Sequence, residues 1–172
     1  MRKRWLIYAI KISALASLLL FLQNPLAKGN ELIKLTLDDA SSLGTTISTD
    51  TTVKQEGNGS IRISSVWPTT ICLGEVQALD VENARIVYQA RVKSEKLEGT
   101  AFLEIWCQVG SGQYFSRGMN STVTGTMDWK TLQTPFFLHP GQRAKKATLN
   151  IVINGKGTVW VDDVHLLKKP LK

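Results

Sequence analysis

The sequence predicts an all-β domain built as a sandwich or barrel, and three features point there. Past residue 27, short runs rich in Val, Ile, Thr and aromatic residues alternate polar and apolar side chains, with no long amphipathic helical pattern among them. Gly, Ser, Asn and Pro cluster between the runs, as turns between antiparallel strands require. With 172 residues and neither an internal repeat nor a low-complexity linker, the chain has the material for one sizeable core rather than two.

The first stretch stands apart from that core. "MRKRWLIYAIK" gives a basic start, "ISALASLLLFL" an apolar run of eleven residues and "QNPLAKG" a break at Pro25, the order of a secretory signal peptide over residues 1–27. The run is short for a bilayer span, and extending it back to Trp5 gives an uncleaved anchor as the alternative, the one route to a membrane that the sequence offers. Cleavage after Ala27 sends a domain of residues 30–168, with a basic tail at 169–172, to the periplasm or the cell exterior. Of the 21 basic residues, Arg2, Lys3, Arg4 and Lys11 lie in this leader, leaving 17 against 14 acids. That is an ordinary surface balance and gives no basis for a nucleic-acid partner. In an oxidising compartment Cys72 and Cys107 either pair or stay as small buried hydrophobes, and the apolar strand parity of Cys107 favours the second.

The predicted strands, in order, are "LIKLTL", "GSIRISS", "ARIVYQARVKS", "GTAFLEIWCQV", "WKTLQTPFF", "KATLNIVING" and "GTVWVDDVHLL". Turns fall at "QEGNG", "GSGQ", "HPGQR" and "NGKG", and "EVQALDVENA" reads as a loop or short helix. Period-two alternation divides each long strand into faces. Ala84, Ile86, Tyr88, Ala90 and Val92 face the core, as do Ala101, Leu103, Ile105, Cys107 and Val109, and Leu149, Ile151 and Ile153. The opposite faces carry Gln89 and Arg91, then Glu104 and Trp106, then Asn150. If these strands are neighbours in one sheet, the five side chains form one surface. An aromatic ring stacks on the C–H face of a sugar while amides, carboxylate and guanidinium bond its hydroxyls. The plainer alternative is a solvated face on which Arg91 pairs with Glu104. Trp67, beside Pro68 in a predicted loop, is a further exposed contact. Tyr114, Phe115, Arg117 and Trp129 either rim the site or close the sandwich edge, the second being favoured for Phe115 and Trp129.

The early strand followed by acids, "GNGSIRI", the long central strands, "GTMDWKTLQTPFFL" and the closing "GTVWVDDVHL" together resemble the galactose-binding-like jelly rolls. Within these the chain is similar to the carbohydrate-binding modules of bacterial polysaccharide hydrolases, over residues 31–167. The resemblance implies an antiparallel β-sandwich, a poly- or oligosaccharide ligand and a structural Ca²⁺ between the first-strand loop and the last strand. Carried over by position, the calcium ligands are Asp38 or Asp39, the turn around Ser60, and Asp162 or Asp163, hard oxygens of the type that ion selects. The alternative for Asp162 and Asp163 is a β-bulge whose carboxylates accept backbone N–H groups.

His139 and His165 lack metal-ligand spacing, and no nucleophile motif or phosphate-cradling loop is present. Glycoside hydrolysis needs two carboxyl groups, and Glu104 stands alone on its strand face. The expected function is therefore that of a non-catalytic saccharide-binding module, with a structural or protein-docking domain of the cell envelope as the alternative.

Overall fold

The computed structural model describes residues 31–35 and 47–171, and every regular element among them is a strand. These are β1 (Glu31–Leu35), β2 (Ile47–Asp50), β3 (Ser60–Ser65), β4 (Thr69–Val76), β5 (Val81–Val109) and β6 (Gly112–Pro170). The leader lies outside the described residues. β5 and β6 are far longer than a single crossing of a sheet, because strand pairing runs on through one corner in β5 and three in β6.

The pairings sort the chain into two layers. In the first, residues 84–92 of β5 lie between 130–138 and 161–170 of β6, with Ala84 opposite both Leu138 and Pro170. The free edge of that last stretch takes β3, with Ile61 opposite Val161, and β1, with Leu35 opposite Val164. β2 adds to β3. In the second layer, residues 101–109 of β5 lie between 112–123 and 144–153 of β6, and β4 completes the far edge. Partner numbers fall as those of β5 rise, so each pairing is locally antiparallel. The last strand runs on into the predicted tail, where Lys169 pairs with Arg85.

Glycines make the corners possible. β5 turns near Lys96, which takes a left-handed φ of 49°, and β6 turns near Gly155 (φ 153°) and Gly157 (φ 149°). The two corners press together: a Cβ on Gly155 would sit 1.8 Å from the carbonyl oxygen of Glu98, and one on Gly99 would sit 2.1 Å from that of Asn154. Only residues without a side chain allow that approach.

The inward faces are those the alternation predicts. Ile86, Tyr88, Ala90 and Val92 from one layer meet Leu103, Ile105, Cys107, Leu149 and Ile151 from the other, each with at most 0% exposure. Three strands escape the sequence reading: β2, β4, and the polar stretch 112–125. "EVQALDVENA" contains no helix; Leu79 is buried in it while Ala78 and Asp80 take left-handed backbone angles. Cys107 is buried and Cys72 exposed, and both are free thiols. Burial pushes the Cys107 thiol up to about 12, as for an inert core residue.

Candidate functional site

The outward face of the second layer gathers polar and aromatic side chains from neighbouring strands. Because Leu103, Ile105 and Cys107 point inward, Phe102, Glu104 and Trp106 point the other way. Register then sets their neighbours. Glu104 lies opposite Arg117 on one side and Asn150 on the other, Trp106 opposite Phe115 and Thr148, and Phe102 opposite Val152.

Glu104 is 3% exposed, and its carboxylate is fully engaged. Oε1 accepts from Trp106 Nε1 at 2.7 Å and from Asn150 Nδ2 at 3.1 Å, while Oε2 accepts from Arg117 Nε at 2.6 Å. Burial pushes its carboxyl up, but the hydrogen bonds from Arg117, Trp106 and Asn150 outweigh burial and hold it below the usual glutamate value. The buried charge is thus paired, and it fixes the rotamers of three side chains around it. Trp106 meets Phe115 with ring centroids 4.9 Å apart at 43°. The Arg117 guanidinium lies 4.7 Å over the Phe115 ring. Phe115 remains 50% exposed, an open aromatic surface beside the half-exposed Arg117 side chain. A groove of about 410 Å³ continues from Arg117 past Phe102, Met119 and Val152 to Pro68 and Asn154. Trp67, 69% exposed, directly precedes the groove-lining Pro68 in the chain.

Trp106, Glu104 and Asn150 are therefore brought together as expected, and Trp67 is placed nearby. Gln89 and Arg91 are not. They sit in the other layer, where Gln89 pairs with Gln133 and His165, and Arg91 donates to Thr131 Oγ1 at 3.0 Å and to Gln55 Oε1 at 2.9 Å. The Arg91–Glu104 ion pair does not form, because Arg117 takes that carboxylate instead. Phe115 faces the site rather than closing the edge. The signal for this lay in "QYFSRGMNSTV": Phe115, Arg117 and Met119 share one strand parity, and the "GSGQ" turn before them folds that strand back on Glu104 and Trp106.

On the same face Glu75 is held by Lys146 at 2.7 Å, and that hydrogen bond keeps its carboxyl low as well. A glycosidase acid needs the opposite, a carboxyl held protonated at working pH.

The expected calcium ligands fit a metal poorly. Asp38 and Asp39 lie outside the described residues. Asp162 is 1% exposed and accepts three backbone N–H groups: Gln55 at 2.6 Å and Glu56 at 3.0 Å on Oδ2, and Asp163 at 2.7 Å on Oδ1. Ser60 Oγ donates to the Val53 carbonyl at 2.5 Å. Asp163, at a left-handed φ of 49°, turns to His165 Nε2 at 2.6 Å. Among the described residues no three His, Cys, Asp or Glu side chains gather as metal ligands. Asp162 thus takes backbone N–H groups as the bulge alternative expects, whereas Asp163 bonds a side chain instead.

No family model matches the sequence, and no curated protein matches it either. Solved structures do match. A family 16 carbohydrate-binding module aligns over 72% of this chain and 86% of its own, with a TM-score of 0.52 at 12% identity. The CBM22-1 xylan-binding domain of Paenibacillus barcinonensis Xyn10C aligns over 84% and 97%, with a TM-score of 0.53 at 14% identity. The CBM22-1–GH10 modules of Clostridium thermocellum xylanase 10B, solved with xylohexaose, align over 83% of this chain and 29% of theirs, at 12% identity with a TM-score of 0.56. At such identities the likeness concerns architecture, and the chain is an antiparallel β-sandwich with the jelly-roll fold of these carbohydrate-binding modules.

Proposed function

We propose that this chain is an exported, non-catalytic module that binds a poly- or oligosaccharide on the face built around Trp106, Phe115 and Arg117. One observation carries the reading: the buried Glu104 carboxylate pins an indole, an amide and a guanidinium beside an open aromatic ring and a groove. Preorganising these groups removes the rotamer entropy that binding otherwise costs. The ring supplies stacking, and the Arg117 Nη atoms, Asn154 and Thr70 supply hydrogen bonds around the groove. Glu104 acts through its neighbours and touches no ligand itself. The fold shared with xylan-binding domains makes xylan the first polysaccharide to test.

A glycan array of the mature chain, followed by titration of the best hit, tests this. Trp106→Ala is expected to lower affinity about thirtyfold, the equivalent of about 2 kcal/mol, and also to lower the melting temperature because the buried Glu104 loses a donor, whereas Phe115→Ala, at a half-exposed ring, weakens binding with less effect on folding. Val66, Trp67 and Met119, 65%, 69% and 61% exposed, favour protein docking as the second reading. An array with no hit, together with capture of an envelope protein that Trp67→Ala abolishes, would replace the first reading by the second.

A further inference from the structure

A pocket of about 190 Å³ lies between β1, the 55–57 turn and the kink at Asp163, lined by Lys34, Leu35, Glu56, Gly57, Asp162 and Asp163. Its acids face inward, as around a cation. Asp162 directs its oxygens to backbone N–H groups, so among the described lining residues Glu56 and Asp163 are the carboxylates that meet a cation directly. Both are directed at one atom, Lys34 Nζ, at 2.5 Å and 3.6 Å. The Asp163 oxygen that faces Lys34, Oδ1, also lies 2.6 Å from His165 Nε2, whose other ring nitrogen lies 2.8 Å from Glu31 Oε1.

We propose that Lys34 is the resident cation of this pocket, tying the first strand, the 55–57 turn and the last strand together without a metal ion. The chemistry of the donors supports the assignment. Calcium takes six to eight oxygens, whereas among the described residues two carboxylates, one of them shared with His165, face the pocket's ammonium, which brings three N–H donors and a charge tethered to the chain. Strand pairing places it there: Lys34 is opposite His165 and Leu35 opposite Val164, so the ammonium reaches the Asp163 kink from the neighbouring strand. A tethered cation cannot be chelated or diluted away, so the stability of this corner is independent of calcium concentration.

The test is a thermal melt of the full chain in EGTA and in millimolar calcium, for the wild type, Lys34→Met and Lys34→Arg, with calorimetric titration of calcium into the wild type. The expected result is one wild-type midpoint in both buffers, a midpoint a few degrees lower in Lys34→Met, and most of that loss restored in Lys34→Arg. A wild-type midpoint that falls in EGTA, saturable calcium binding to the wild type, or a Lys34→Met midpoint equal to the wild type would each overturn the assignment.

Discussion

Glu104 is the residue on which the candidate face depends, although no ligand can reach its oxygens. Glu104→Ala leaves the Trp106 indole N–H, the Asn150 amide and the Arg117 Nε without their acceptor. Arg117, half exposed, can turn to water, so the expected loss is about 2 kcal/mol rather than that of a fully buried pair, read from chemical denaturation. Glu104→Gln keeps the shape but not the charge, and is expected to weaken ligand binding by releasing Arg117 more than it lowers stability. A titration that finds Glu104→Gln as tight as the wild type would detach the carboxylate from the site. Much of this face was legible in the sequence, because alternation in "AFLEIWCQV" is local and assigns Glu104 and Trp106 to one side of their strand. The error over Gln89 and Arg91 has a physical origin: parity says which face a residue takes, but not which layer its strand joins. Layer membership follows from pairings such as Gln89 with His165, which no local pattern encodes.

β5 crosses once between the layers and β6 three times, and those crossings govern how the elements respond to change. Gly155→Ala puts a methyl group into the Glu98 carbonyl and forces an alanine to φ 153°. Strain and overpacking together predict a loss on the order of 3 kcal/mol, visible as a lower denaturation midpoint. Gly110→Ala is a useful contrast. Its φ of 60° is strained, but nothing lies within 4 Å of the added carbon, so a smaller loss of about 1 kcal/mol is expected. The long apolar strands were readable because both their period and their turn residues are strong. β4 and the 112–125 stretch were not: "TTICLGEV" is broken by a bulge between Cys72 and Gly74, and "QYFSRGMNST" is an edge whose side chains mostly face water.

For the whole molecule the carboxylates set the response to acid. Backbone N–H donation from Val53, with the Trp160 indole, holds the Asp50 carboxyl far below its usual range. Asp163, where burial pushes up but the hydrogen bonds and charges of His165, Glu56 and Lys34 together outweigh it, and Glu104 are lowered too. A carboxyl with a depressed folded pKa adds stability that is present above its unfolded value of about 4 and is lost as pH falls through the folded one. Circular dichroism melts are therefore expected to give a midpoint that these groups leave level from pH 7 to 5 and lower progressively below about pH 4. The Glu104→Gln variant should show the shallower acid limb.

The pairing of β1 with residues 164–167 has a consequence in time. The first strand of the fold has no partner until the last one has been synthesised, and the pairing of Ala84 with Pro170 is nearly as distant. Closing such long loops before any contact rewards them makes acquisition of the native state slow, on the scale of milliseconds to seconds. The earlier strands therefore wait, their outermost partners missing, and the jelly roll closes only once residues 164–170 are free to pair.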